Sequence, residues 1–308
     1  MIADATMPTL SAFTPEDIIR EVRHLPSAPK VLPRLKQLLT DGNSSMQEIV
    51  RLIRLDPGIA ARVLQVSNSA YFSKGVRCFT VEEAVRRVGY DEVYELVAYA
   101  VSSQVLIRPL DVYGIEADEL WTSSVACALA AEALAMRTGQ DRNVAYTIGL
   151  LHAVGMVAID EWALHHAADL TLRHAGFPRE ATEAERAVFG FTQAETGAAL
   201  LRHWNFPAAM AEPVRWQYAP RASASQARMA SLLHAAKWLR STVCSDPKFP
   251  VEAPDAMHLL PLGLSAAALK GMVGEVILRL ADVSSLLEVA TKATIGRDQF
   301  PAQQWDVR

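Results

Sequence analysis

Thr147-Ile-Gly-Leu-Leu-His-Ala-Val-Gly-Met156 is the stretch on which the reading of this chain turns. Ile148, Leu151 and Val154 with Met156 recur at helical spacing and mark a buried face. His152 therefore belongs beside a packed face and not at a loop tip, on a helix expected from Arg142 to about Asp160. An imidazole followed by a carboxylate here would be half of a site for a divalent ion. Alanine follows instead, at Ala153, and the question of function rests on that.

The chain around this stretch is 308 residues long, enough for one large or two modest domains. With 51% hydrophobic and 21% charged residues it has the composition of a soluble globular protein with a substantial core. Its net charge is −4, and the excess of acids lies after residue 115. No basic face of the kind that phosphate-backbone binding needs is expected, so nucleic acid is not an expected partner. Cys78, Cys127 and Cys244 are too far apart for a zinc spacing and odd in number, which fits a reducing cytoplasm. The N-terminus has no signal-peptide pattern. The longest apolar candidates, Leu96–Ile107 and Val125–Met136, are interrupted by polar residues and fall short of a membrane span, so no membrane insertion is expected.

Helix signals dominate. Thr14-Pro15-Glu16-Asp17 starts one helix, Lys30–Thr40 forms another, and Ser45-Met-Gln-Glu48 is a capping box. Asp56-Pro57 places an N-cap before a proline at the first helical position. Thr80-Val-Glu-Glu83 repeats the box, Gly89 suits a helix end, and Asp91 opens a helix to about Ile107. Val76–Val81 is the best candidate for extended chain. After a connection at Leu110–Ala117, an alanine-rich helix runs from Asp118 to about Arg137. Helical pattern then continues through Asp160–His174, from Thr182, over Gln193–Trp204, and from Pro207 to Tyr218. Gln226–Ser241 and Ser265–Thr291 follow, separated by a proline-rich loop at Cys244–Pro261. The fold class is all-α.

Two ordered blocks carry a family resemblance. The first is Leu25-Pro26 with Pro29, Ile53-x-x-Asp56-Pro57, Leu64-x-x-x-Asn68-Ser69-Ala70 and Ala84-x-x-x-Val88-Gly89. The second is Leu120-Trp121, Gly149-Leu-Leu-His152-x-x-Gly155, Glu195-x-Gly197-x-x-Leu200-Leu201 and Trp204-x-x-Pro207. Together they resemble the bacterial HDOD domain, the HD-related output domain, over about Leu25 to Pro220. The resemblance implies an N-terminal helical subdomain, 25–115, packed on a subdomain similar to the HD metal-dependent phosphohydrolases, 116–220. Residues 1–24 form an extension with a short helix, and 221–308 a helical extension packed on the domain. HDOD domains are often fused to receiver or cyclic-dinucleotide enzymes, and no such module is expected here.

The same resemblance places the metal ligands of an HD hydrolase at Ser123, at His152-Ala153, at Gln193 and at Gln217-Tyr218. One imidazole remains, where a catalytic metal site takes three or more protein ligands. The expectation is a degenerate site with no metal, no cofactor and no catalysis. His152 then reads as a core histidine bonded to a neighbouring carbonyl, and the other four side chains either satisfy one another or line a small-molecule pocket. Glu161-x-x-x-His165, with His166 and His174 nearby, has ligand spacing but also suits a solvated face. Ser102-Ser103 and Ser123-Ser124 lack the glycines of a nucleophile elbow. Arg51, Arg54, Arg62, Arg86 and Arg87 form a possible patch for an anion or a protein partner, or pair with Glu48, Glu82 and Glu83. The function expected is that of a cytoplasmic bacterial signalling protein that acts by binding another signalling protein. A cyclic-dinucleotide sensor is the alternative, and an HD-type phosphohydrolase with an unconventional site is a more distant one.

Overall fold

The computed structural model describes residues 13–21, 31, 35, 38, 45–73, 75–89, 93, 109–167, 170–172, 179–245 and 251–297. Most of the expected helices over 30–40 and 91–107 lie outside them, as do Ser102 and Ser103. The described residues form α-helices, short 3-10 turns and an isolated bridge from Leu110 to Ile115, with no strand.

Local capping chemistry sets the N-terminal helices. α1 (Pro15–Glu21) starts where the Thr14 hydroxyl and the Asp17 carboxylate cap each other's backbone. α2 (Met46–Ile53) starts at a reciprocal Ser45–Glu48 box. Before α3 (Pro57–Ser67), the buried Asp56 carboxylate accepts from the Ile59 N–H at 2.9 Å. A short turn, α4 (Ala70–Ser73), leads towards α5 (Val81–Val88), capped by Thr80. Here the box is shifted, since Glu83 accepts from the N–H of Phe79 instead of that of Thr80. Residues 76–79 are irregular, and the fully buried Asn68 holds them by exchanging two bonds with the Cys78 backbone, at 2.7 and 3.0 Å.

α6 (Ala117–Thr138) is the long central helix and ends at Gly139, whose φ of 66° only glycine adopts at little cost. The single helix expected from Arg142 to Asp160 is two: α7 (Arg142–Leu150) and α8 (Val154–His166), separated by a turn at Leu151–Ala153. The cause is His152. Its Nδ1 bonds the Gly149 carbonyl at 2.8 Å, the acceptor that a continuing helix would offer to the N–H of residue 153. The His152 carbonyl is in turn taken by the Gln217 amide at 3.0 Å. α9 (Arg179–Phe189), α10 (Gln193–His203) and α11 (Ala208–Arg215) complete this half. Helix α8 stops at His166 instead of running on to His174, and α11 stops short of Tyr218.

After a 3-10 turn at Pro220–Ala222 comes α12 (Ala227–Cys244), which lies along α6. The expected loop at 244–261 contains α13 (Ala256–Leu259). The expected helix 265–291 is broken at Gly271-Met272 into α14 (Ala266–Lys270) and α15 (Val273–Arg297). α15 rests on α6 and α12. Helix α1 packs far from its sequence neighbours, on α8 and α10, burying Ile18 and Ile19 and setting Phe13 edge-on to Trp162.

Two aromatic hydrogen bonds join the halves at the turn between α2 and α3. Trp121 Nε1 donates to the Leu55 carbonyl at 2.8 Å, and the Tyr146 hydroxyl donates to the Arg54 carbonyl at 3.0 Å. Taken together, α7 and α8 are long and apolar enough to cross a membrane, which the sequence reading did not anticipate. That window is 89% buried inside the fold, as a core element of this composition would be.

Candidate functional site

Two glycines fix where the site lies. A Cβ on Gly155 would come within 1.9 Å of the Gln193 carbonyl oxygen, so α8 and α10 touch backbone to backbone. Gly149 does the same against α6, where a Cβ would stand 2.8 Å from the Ala128 Cα. His152-Ala153 sits between these two contacts, at the start of α8, and Gln193 opens α10.

Ser123, His152 and Ala153 line one cleft of about 410 Å³. Arg240 and Ser241 of α12 form its opposite wall. Arg240 Nη1 donates to Ser123 Oγ at 2.9 Å, although the two residues are far apart in sequence. Gln193, Gln217 and Tyr218 lie behind the cleft. Gln193 Nε2 donates to the Tyr218 hydroxyl at 2.8 Å, and the Gln217 amide bridges the His152 and Val214 carbonyls. Over the Tyr218 ring, 3.2 Å from its centroid, stands the ammonium of Lys237, one turn of α12 before Arg240. Lys237 is only 4% exposed, and its Nζ has no hydrogen-bond partner among the described residues.

Sequence reasoning missed Lys237, Arg240 and Glu185. Glu185 is buried within α9, where its carboxylate accepts from the Tyr113 hydroxyl and the Gln193 N–H, both at 2.9 Å. Burial pushes its pKa up to about 7, although these two bonds and Lys237 favour the charged form. Burial, with Arg240 and Lys237 adding to it, holds the His152 imidazole well below its ordinary pKa. The ring is neutral, with its proton on the Nδ1 that donates to Gly149. Lys237 is likewise lowered, by burial first and then by Arg240.

A divalent ion does not fit this arrangement. The Ser123 oxygen faces a guanidinium, Ala153 offers no side-chain donor, and Gln193 and Gln217 are anchored through Nε2, so that only two neutral buried amide oxygens remain without a hydrogen-bond partner among the described residues. Among the described residues no three His, Cys, Asp or Glu side chains are grouped to hold a metal. A dication about 6 Å from one fixed guanidinium would meet repulsion on the order of 5 kcal/mol at an effective dielectric near 20. At the other metal-like spacing, His165 Nδ1 bonds the Glu161 carbonyl of its own helix.

The five arginines do not form one patch. Arg51, Arg54 and Arg86 line a second cavity, where Arg54 pairs with Glu82 and Glu132. Arg62 instead bonds Gln65, and Arg87 bonds the Val76 carbonyl.

The profile of the HDOD domain matches residues 25–220. The chain belongs to the HDOD family. An uncharacterised protein of Treponema pallidum (strain Nichols) is 28% identical to this HDOD chain over 205 residues, covering 65% of this chain and 39% of that protein. The chain thus spans well under half the length of that relative. The response regulator MmoQ from Methylococcus capsulatus (Bath) has a similar fold, with a TM-score of 0.66 at 20% identity, covering 82% of this chain and 98% of that one. A virulence factor from Campylobacter jejuni follows at 0.58 and 17%, covering 74% and 84%. At these identities the likeness is one of HDOD fold.

The buried imidazoles give a pH prediction with a definite sign. His152 and His234 have folded pKa values below 6.5, about 4 for His234, so the unfolded chain takes up protons first as the pH falls. Their contribution is complete above pH 6.5 and is lost on acidification, at about 1.4 kcal/mol per pH unit for each proton. Glu185 acts oppositely: its contribution is present below pH 4.5 and lost as the pH rises through about 7. His152→Gln should therefore flatten the fall in stability as the pH drops below 6.5, by up to one proton's slope. Denaturant melts at several pH values read this directly, and an unchanged slope would mean that His152 is not buried neutral.

Proposed function

We propose that this chain is a non-catalytic signalling protein of the cytoplasm, whose HDOD domain acts by binding another protein. The observation that carries this reading is Arg240 bonded to Ser123 with Lys237 behind it. Two basic side chains of the C-terminal extension stand beside Ser123 and Tyr218, positions at which the HD resemblance expects metal ligands. A hydrolytic metal lowers the pKa of bound water only where anionic and neutral donors hold it, and the Arg240 guanidinium supplies the opposite charge. Helix α15 supports a role in binding, since it leaves Ile277 and Leu278 exposed, at 48% and 68%.

Two measurements test this. Protein purified without chelator should carry well under about 0.1 equivalents of metal and hydrolyse no phosphodiester, and Ala153→Asp should change neither result. Stoichiometric metal with turnover abolished in His152→Ala overturns the non-catalytic reading. Affinity capture from the native host should recover a partner with the wild-type chain that Ile277→Asp/Leu278→Asp loses. Equal capture by both chains removes α15 as the binding surface, and repeated failure to capture any partner counts against binding itself.

A further inference from the structure

A second cavity, of about 610 Å³, opens at the junction of α2, α5, α6 and α7, away from the site described above. We propose that it binds a nucleotide, with the base stacked on Arg54 and the phosphate held by Arg51 and Arg86.

Arg54 carries the base half of the assignment. Its guanidinium gives Nη1 to Glu82 at 3.0 Å and Nη2 to Glu132 at 3.1 Å, and it lies over the Tyr146 ring at 4.2 Å from the centroid. The plane is clamped at its edges and backed on one side, and the side chain remains 24% exposed to the cavity. What it offers a ligand is a flat, delocalised cationic face, which suits a planar aromatic ring better than a point charge. Because the rotamer is already fixed, little further entropy is lost on stacking. Val50, Val85 and Leu129 continue this surface as an apolar wall.

The phosphate half rests on the other two arginines. Arg51 is exposed and has no hydrogen bond or ion pair with any described residue. Arg86 gives Nε to the Glu82 carbonyl of its own helix, which leaves its Nη groups facing outward. Three guanidinium groups thus line the cavity against two carboxylates, and Glu132 is also paired with Arg279 of α15 at 3.3 Å. The balance favours an anion, and paired arginines match phosphate oxygens. The volume falls within the range of small-ligand pockets. A flat face, an apolar wall and an anion clamp together describe a nucleoside phosphate. An acidic peptide would use the charge and leave the flat face idle.

Titration calorimetry at low salt tests the assignment with AMP, GMP, a cyclic dinucleotide, ribose 5-phosphate and hexaglutamate as probes. At least one nucleotide should bind with a Kd below about 100 μM, and ribose 5-phosphate at least about tenfold more weakly. The Arg51→Ala/Arg86→Ala variant should weaken nucleotide binding by about tenfold or more, while Arg62→Ala, outside the cavity, leaves it unchanged. Circular dichroism confirms that the variants fold, and both altered arginines of the double variant are exposed. The relative affinities of mononucleotide and cyclic dinucleotide identify which source of the shared chemistry the cavity takes. The proposal is overturned if no nucleotide binds at about 1 mM, if ribose 5-phosphate binds as tightly as the nucleotides, or if the double variant binds normally. Binding of hexaglutamate without nucleotide binding overturns it in favour of an acidic peptide.

Discussion

Gly155→Ala is expected to leave the protein unfolded or aggregated, the largest effect of any single methyl group in the second half. The added Cβ would lie 1.9 Å from the Gln193 carbonyl oxygen, 2.7 Å from the Gly197 nitrogen and 2.8 Å from the Gln193 carbonyl carbon. All three are backbone atoms, so no rotamer change relieves the overlap, and α8 and α10 must separate along their length. Overpacking in a core costs about 1–3 kcal/mol when side chains yield. Here they cannot, and a loss of at least about 4 kcal/mol is expected, comparable to the whole stability of a marginal domain. Gly197→Ala is the matched control. Its Cβ would meet the Gly155 nitrogen at 3.2 Å, a contact that a few tenths of an ångström relieves, for a cost of about 1 kcal/mol. Circular dichroism and thermal melts of the two variants decide the matter. A well-folded Gly155→Ala with near wild-type stability would mean that the two helices do not cross where described.

Lys237→Met is expected to do the reverse and stabilise the protein, by about 1–2 kcal/mol at pH 7. The buried Lys237 nitrogen, without a hydrogen-bond acceptor among the described residues, costs several kcal/mol in desolvation or in a lost proton, and the Tyr218 ring returns about 2 kcal/mol. Methionine fills nearly the same volume without the charge. The pH dependence carries a separate signature. Because the folded pKa of Lys237 lies below 10.5, its contribution is complete above that value and is lost as the pH falls towards the folded pKa. Wild-type stability should therefore gain from this group as the pH rises towards 10.5, and the methionine variant should lack the gain. Above about pH 9 Cys127, raised to about 12, and the buried tyrosines work in the opposite direction, so the comparison is made below that pH. A variant less stable than wild type at pH 7 would show that Lys237 is held by a stronger partner than the ring.

What was legible in the sequence was mostly what is local. Ser45, Asp56 and Gly139 announce helix ends because a cap needs only residues within one turn of it. The paired motif blocks carried the family and the all-α class for a different reason: they hold residues such as Gly155, whose contact with the distant Gln193 leaves no room for a side chain. The break at Leu151–Ala153 was not legible, since it depends on a side chain replacing a backbone donor and on Gln217 far along the chain. Asn68 stood in the sequence as part of a motif, and its bonds to Cys78 become visible only once the chain has folded back. In the site, the resemblance located Ser123 and His152 but gave no hint of Arg240 or Lys237, because both come from an extension outside the matched domain. A signal existed all the same. Between Leu232 and Leu239 the polar residues are His234 and Lys237 alone, and a helix apolar on nearly every face is buried all round, its cations included.

The seat of α1 has a consequence for how the chain is made. Ile18 and Ile19 leave the ribosome early, yet the surfaces that cover them, on α8 and α10, are not complete until His203 has been synthesised. At roughly 5–20 residues per second, this helix waits on the order of 10–40 seconds with its apolar side uncovered. Native docking of the first helix is thus a late event in biosynthesis, and through that interval Ile18 and Ile19 offer a short apolar segment to chaperones or to neighbouring nascent chains.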